Sequence, residues 1–207
     1  MTAAHRSDTF FAHHLAATPV IGIFRGQDPT TTVELCHRAW DFGVDLVEIP
    51  VQSPAALPSL RAAVEAARAR GKHVGAGTVT SAERVRAVVD IGAAFTVAPG
   101  LHPEVIEASA QAGLPHLPGV ATATDIAAAL AMGHTWLKAF PARQLGSDWI
   151  TAQLAPFPDA RFVATGGISA DNAAAFLSAG CAAVAVGSAL ADPAALPQLR
   201  KAVSPVR

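Results

Sequence analysis

Among its 207 residues the chain has no tyrosine, two cysteines, two methionines and three lysines. It also lacks any apolar run long enough to span a bilayer, which excludes a membrane protein built from helices. A net charge of −1 with no basic cluster excludes nucleic acid as a main partner. Cys36 and Cys181 lie far apart in apolar surroundings, so the pair reads as reduced core filling in a cytoplasmic protein rather than a disulfide framework. The opening segment "FFAHHLAATPVIGIF" is interrupted by two histidines and a proline. It reads as a short helix leading into a strand, not as a signal peptide.

What is present is alternation. Short apolar runs such as "PVIGIF", "VDLVEI", "KHVGAG", "AFTVA", "LPHLPG", "TWLKAF", "RFVAT" and "AAVAVG" are each followed by a helical pattern. Helix starts such as "DPT" at residues 28–30 and Ser53-Pro54, and stops such as Gly92, punctuate the units. Strands separated by helices pair in parallel through right-handed crossovers. Eight such units predict one closed (β/α)8 barrel over residues 1–207 with a short N-terminal helix, its active site at the C-terminal ends of the strands.

The scarcity of lysine makes one of them conspicuous. Lys72 in "RGKH" and Lys201 near the C-terminus read as solvent-exposed, whereas Lys138 interrupts the strand "TWLKAF". A charged side chain is rarely buried without a partner. Strand alternation groups Ile21, Ile23 and Arg25 on one face, then Leu46, Glu48 and Pro50, then Trp136, Lys138 and Phe140. Glu48 is the one glutamate of six that falls in a strand run. An arginine, a glutamate and a lysine are therefore expected at the barrel mouth. They could form a buried ion pair that only fixes register. They could also do chemistry, because desolvation favours the neutral, nucleophilic form of an amine, which adds to ketones. Arg25 offers a fork for a carboxylate and Glu48 a proton shuttle.

The last two strands end in glycine turns, "ATGGISADN" with Gly166 and Gly167, and "AVGSAL" with Gly187 and Ser188. These are the loops where this architecture often binds phosphate. "GAGTVTSAE" superficially matches a dinucleotide fingerprint but lacks its third glycine; Thr78 more plausibly turns its hydroxyl toward the site. The histidines show no pair at metal-ligand spacing, His13 and His14 belonging to the N-terminal helix, so no metal is expected. His116 is either a core residue or a site-lining group.

On these residues the chain resembles the KDPG/KHG aldolases, through "PVIGIFRG", "VEIPVQSP", "VGAGTV", "VAPG", "PGVATATD", "LKAFPA", "ATGGIS" and "VGSAL". Within that family it is most similar to the branch acting on 2-dehydro-3-deoxy-6-phosphogalactonate. The resemblance implies a class I aldolase without metal or other cofactor, a homotrimer, with pyruvate and a phosphorylated keto-deoxy sugar acid as its small-molecule partners. It implies Lys138 as Schiff-base lysine and Glu48 as general acid/base. It further implies Arg25 and Thr78 at the substrate carboxylate, Pro99 lining the pocket, and Gly166, Gly167, Gly187 and Ser188 at the phosphate. Gln52 stands where the phosphogluconate branch commonly has an arginine, which favours the galacto substrate. The competing readings are a phosphate-binding barrel isomerase or epimerase, a 4-hydroxy-2-oxoglutarate aldolase of the same family, and a non-catalytic sugar-phosphate sensor.

Overall fold

The computed structural model describes residues 2–204. Helix α1 (Ala3–Leu15) precedes strand β1 (Val20–Ile23), α2 (Pro29–Phe42), β2 (Leu46–Pro50), a 3-10 turn at Pro54–Ala56 and α3 (Leu57–Arg70). Next come β3 (His73–Gly77), α4 (Ala82–Ile91), β4 (Thr96–Val97), α5 (Pro103–Gln111), β5 (His116–Leu117), β6 (Gly119–Val120) and α6 (Ala123–Ala131). The last part holds β7 (Trp136–Ala139), α7 (Ala142–Leu145), α8 (Ser147–Leu154), β8 (Arg161–Thr165), α9 (Ala173–Ser178), β9 (Ala183–Val186), α10 (Ser188–Ala191) and α11 (Leu196–Val203).

The strands pair in parallel in the order β5-β4-β3-β2-β1-β9-β8-β7-β6. The two ends of that order, β5 and β6, are one continuous piece of chain divided by Pro118, which has no N–H for a ladder. The segment bonds β4 on one side and β7 on the other, so the barrel closes and the expected fifth strand is present in two halves. The expected (β/α)8 architecture is thus the one formed. Where eight simple helices were expected, the connection after β7 instead carries α7 and α8, and the one after β9 carries α10 and α11.

Local chemistry explains the element ends. Asp28 caps α2, its carboxylate accepting from the Thr31 N–H, with Pro29 in the first turn. Ser53 precedes Pro54 as expected, but that start opens only the 3-10 turn, and Ser53 makes no side-chain cap bond. Gly92 ends α4 in the left-handed region at φ 92°, where a side chain would be strained.

Alternation sorts the strand residues into two cores. Val20, Val47, Ile49, Val74, Leu137, Phe162 and Val184 pack outward against the helices. Ile21, Leu46, Phe95, Val97, Leu117, Trp136, Val163 and Ala185 fill the barrel with Phe11 and Leu15 of α1. Helix α1 is therefore a plug for the barrel floor. Its Asp8 carboxylate accepts from the N–H groups of Thr135 and Trp136 and from the Thr135 hydroxyl. Its Arg6 donates to the Gly113 carbonyl.

His116 belongs to this structural layer rather than to the barrel mouth. It is fully buried, its Nδ1 lies 2.9 Å from Thr96 Oγ1, and its N–H donates to Ser7 Oγ of α1. Burial holds its imidazole neutral, down from 6.5 to about 3. The unfolded chain binds that proton at ordinary pH values and the folded chain does not, so stability present above pH 6.5 is lost as pH falls toward 3. Denaturant titrations should therefore show a stability loss from this residue approaching ~1.4 kcal/mol per pH unit. The variant His116→Gln should have the shallower slope between about pH 5.5 and 4. Equal slopes in the two proteins would show that His116 is not the group titrating.

Candidate active site

Strand pairing carries the three charged residues of interest to one end of the barrel. Glu48 lies in register with Ile23 and Gly75, and Lys138 with Gly119 and Val163. A cavity of ≈ 250 Å³ there is lined by Arg25, Glu48, Lys138, Phe140, Thr165, Gly166, Gly167, Gly187 and Ser188, together with Ile23, Ile168 and Ala185. Thus the arginine two residues after β1, the glutamate of β2, the lysine of β7 and both glycine turns share one space.

Lys138 and Glu48 are nearly sealed from solvent, at 4% and 2% side-chain exposure, with Nζ 3.8 Å from Oε1. That distance exceeds hydrogen-bond contact. Glu48 Oε1 is buried without a hydrogen-bond partner among the described residues, which is uncommon for a buried carboxylate oxygen and costly unless something else binds there. The Lys138 ammonium also lies 5.1 Å from the Phe140 ring centroid, a cation–π distance.

The carboxylate of Glu48 occupies the space a side chain at Gly77 would take. A Cβ built on Gly77 would fall 1.8 Å from Glu48 Oε1 and 2.4 Å from its Cδ. The second glycine of "GAGTV" is thus a clearance for the glutamate. Sequence reading passed over it, because a strand glycine carries no mark of the neighbouring strand that needs its room. Gly187 is similar: a Cβ there would sit 2.6 Å from the Ile23 carbonyl oxygen, so the turn after β9 can cross β1 closely only as glycine.

Thr78 has φ 58°, the one non-glycine residue in the left-handed region among the described residues. Such a backbone costs a β-branched residue of order 1–3 kcal/mol and must be held by its surroundings. Arg84 holds it, donating to the Thr78 carbonyl, to Thr80 Oγ1 and to the Gln52 carbonyl, and so tying the loops after β2 and β3 together. Thr78 Oγ1 in turn accepts from Arg25 Nη2 at 3.4 Å. Arg84 was also missed in the sequence, where it reads as one of several arginines on a solvated helix.

Two residues stand apart from the lysine cavity. Gln52 is exposed and lines a neighbouring cleft of ≈ 290 Å³ with Gln27, Asp28 and Ser53. Pro99 does not line the cavity walls; its backbone packs on Gly119, where a Cβ would come 2.3 Å from the Pro99 carbonyl carbon. Lys72, expected in solvent, is instead half-buried with Nζ 3.2 Å from Asp45 Oδ1, because its turn folds against the start of β2. Lys201 is exposed as expected. Cys36 and Cys181 are free and buried, their thiols pushed up to about 12 by desolvation, which leaves them inert.

A parallel barrel whose mouth gathers an amine, a carboxylate, a guanidinium and two glycine turns around one cavity has the layout of a small-molecule enzyme. The chain matches the family model "KDPG and KHG aldolase" over residues 12–201, and it belongs to that family. It is 38% identical over 176 residues to the probable 2-dehydro-3-deoxy-6-phosphogalactonate aldolase of Rhizobium meliloti, covering 84% of this chain and 82% of that one. It is likewise 38% identical over 173 residues to the 2-dehydro-3-deoxy-6-phosphogalactonate aldolase of Escherichia coli, covering 83% and 84%. Among solved structures, KDPG aldolase from Legionella pneumophila, with pyruvate captured as a covalent carbinolamine intermediate, superposes with TM-score 0.80 at 28% identity over 94% of this chain and 98% of that one. The chain is thus a carbon–carbon lyase of the aldolase type, which sets aside the isomerase and sensor readings.

The clearance at Gly77 yields a test. Gly77→Ala should leave the circular dichroism spectrum unchanged, since Gly77 ends a strand with an ordinary backbone, but should lower aldol-cleavage turnover by roughly 10²-fold or more by displacing the Glu48 carboxylate. Turnover within a factor of about two of wild type would mean that the carboxylate does not need its present position.

Proposed function

We propose that the protein is a class I aldolase that cleaves 2-dehydro-3-deoxy-6-phosphogalactonate, 2-dehydro-3-deoxy-6-phosphogluconate or both to pyruvate and D-glyceraldehyde 3-phosphate. The observation that carries this reading is the sealed lysine 3.8 Å from a glutamate oxygen that has no hydrogen-bond partner among the described residues. Neither group's hydrogen-bonding capacity is consumed by the other, so a substrate atom between them can be reached by both.

In this mechanism the Lys138 amine adds to the C2 ketone to give a carbinolamine, and loss of water leaves an iminium. Glu48, directly or through water, takes the C4 hydroxyl proton. The C3–C4 bonding electrons move into the iminium, giving an enamine and releasing the aldehyde. Glu48 then returns a proton to C3, and hydrolysis of the new imine frees pyruvate and the lysine. The iminium is the electron sink, so the reaction needs no metal. Arg25, steadied by Thr78, pairs with the substrate carboxylate, and Gly166, Gly167, Gly187 and Ser188 receive the phosphate through backbone N–H groups. The relation to an aldolase that holds pyruvate as a carbinolamine supports the covalent route. The proposal includes a homotrimeric assembly, as the sequence resemblance implies, and a cytoplasmic location, which two buried free thiols support. Pro99, outside the cavity walls, bears on the site only through its backbone packing on Gly119.

Both C4 epimers share the carboxylate and phosphate ends, so discrimination falls to groups beside C4 and C5. Gln52 is a neutral amide that both donates and accepts, and the galactonate-named relatives support a galacto preference. Cleavage of the galacto epimer should equal or exceed that of the gluco epimer by up to about 10²-fold, with Gln52→Arg shifting the ratio toward gluco. A wild-type enzyme preferring gluco by several decades would remove Gln52 as selector without touching the lysine chemistry.

The covalent step is tested by borohydride reduction in the presence of pyruvate. Wild type should be inactivated with one three-carbon adduct, mapped to Lys138 by peptide mass spectrometry. An adduct on Lys72 or Lys201, or none, would overturn the Schiff-base mechanism.

A further inference from the structure

At the opposite, N-terminal end of the barrel the fold brings together three residues that no spacing in the sequence connects. His14 is on the last turn of α1, Asp45 immediately precedes β2, and His73 is the first residue of β3. Each offers one ligand atom, and the three atoms lie within 4.8 Å of one another. We propose that His14, Asp45 and His73 bind a transition-metal dication, with Zn²⁺ the ion that fits best, in a site that fastens the plug helix to the barrel floor.

The donor set decides the class of ion. Two imidazole nitrogens and one carboxylate oxygen suit zinc and its neighbours, whereas calcium and magnesium require mostly oxygen. Bonds of about 2.0–2.2 Å in a tetrahedron place ligand atoms roughly 3.3 Å apart. His14 Nδ1 and Asp45 Oδ2 are 2.5 Å apart and the two imidazole centroids 4.2 Å apart, tilted by 52°. A metal replacing the proton shared by His14 and Asp45 would open the first contact and draw in the third ligand by small side-chain rotations. His73 Nδ1 is buried with no hydrogen-bond partner among the described residues, a polar atom whose desolvation nothing else in the fold offsets.

Lys72 works against the ion. Its Nζ sits 3.2 Å from Asp45 Oδ1, so one oxygen of the carboxylate is committed to a competing cation while Oδ2 faces His14. The side chain is 28% exposed and can swing into solvent. Removing its charge should therefore tighten metal binding, an effect that a chance cluster of surface histidines would not show. His13, whose ring packs on His14 at 4.8 Å, is exposed and outside the three-ligand group.

Tag-free, chelator-treated protein titrated with ZnCl₂ by calorimetry, and with Co²⁺ followed by its visible absorption, should bind one equivalent with tetrahedral Co²⁺ bands. His73→Gln and Asp45→Asn should each weaken binding by at least about 10-fold, Lys72→Gln should tighten it several-fold, and His13→Ala should leave it unchanged. Zinc at about 100 times its Kd should raise the wild-type Tm by roughly 5–10 °C. For His73→Gln the same zinc concentration should raise Tm by at most about half the wild-type shift, since a site weakened about 10-fold is then only about 10 times over its Kd; if that variant does not fold, Lys72→Gln and His13→Ala still decide. Absence of saturable binding below about 1 mM, or binding lost in His13→Ala or unaffected by Lys72→Gln, overturns the proposal. None of these readouts involves substrate, so failure here leaves the aldolase reading standing.

Discussion

The rest of the structure depends on the cost of keeping an ammonium and a carboxylate side by side in a nearly dry barrel. Lys138 and Glu48 are each almost fully removed from water, and continuum arguments put that desolvation at several kcal/mol per ion, only partly returned by their attraction. A fold selected for stability alone would do as well with two apolar side chains. The surroundings instead maintain the pair. Gly77 clears space for the carboxylate, Phe140 faces the ammonium, and the halves of one broken strand close the wall on which Lys138 stands. Among the described residues nothing hydrogen-bonds Glu48 Oε1, which on the proposed mechanism leaves an acceptor for a proton brought by the substrate.

The two ends of the barrel divide the labour. At the C-terminal end, short glycine turns and the Arg84 tie among the loops hold a small cavity lined by Arg25, Lys138 and Glu48, at the expense of strain at Thr78. At the N-terminal end, α1 drives Phe11 and Leu15 into the barrel and is fixed by Asp8, Arg6 and Ser7. That floor packs Phe11 against Trp136, two residues below Lys138 on the same inward face. The plug therefore bears on the chemistry without approaching it, and a metal at its last turn would act on rigidity and not on turnover.

Much of this was legible in the sequence because strand alternation is strict. Arg25, Glu48 and Lys138 could be assigned to one inward face from periodicity alone, and the repeated strand–helix units sufficed for a closed barrel. What could not be read depends on contacts across strands. The room Gly77 makes for Glu48 and the tie from Arg84 to two loops are properties of neighbours, not of local pattern. The meeting of His14, Asp45 and His73 is likewise set by how α1 docks. Lys72 looked exposed because its turn is polar, yet packing brings it onto Asp45. The run "LPHLPG" read as one strand, and only the pairing shows that it divides at Pro118 so that one segment serves both edges of the barrel.

The central claim, that Lys138 holds the substrate covalently while Glu48 moves its protons, separates into two functions that one measurement can read. NMR of pyruvate in D₂O follows exchange of its methyl protons, which requires both imine formation and a base. Wild type should exchange readily, Lys138→Ala should not exchange above the buffer rate, and Glu48→Gln should be slowed by about 10²–10⁴-fold. Exchange by Glu48→Gln at the wild-type rate would contradict the account, because the buried, unpartnered carboxylate would then have no part in the proton transfer for which the barrel keeps it in place.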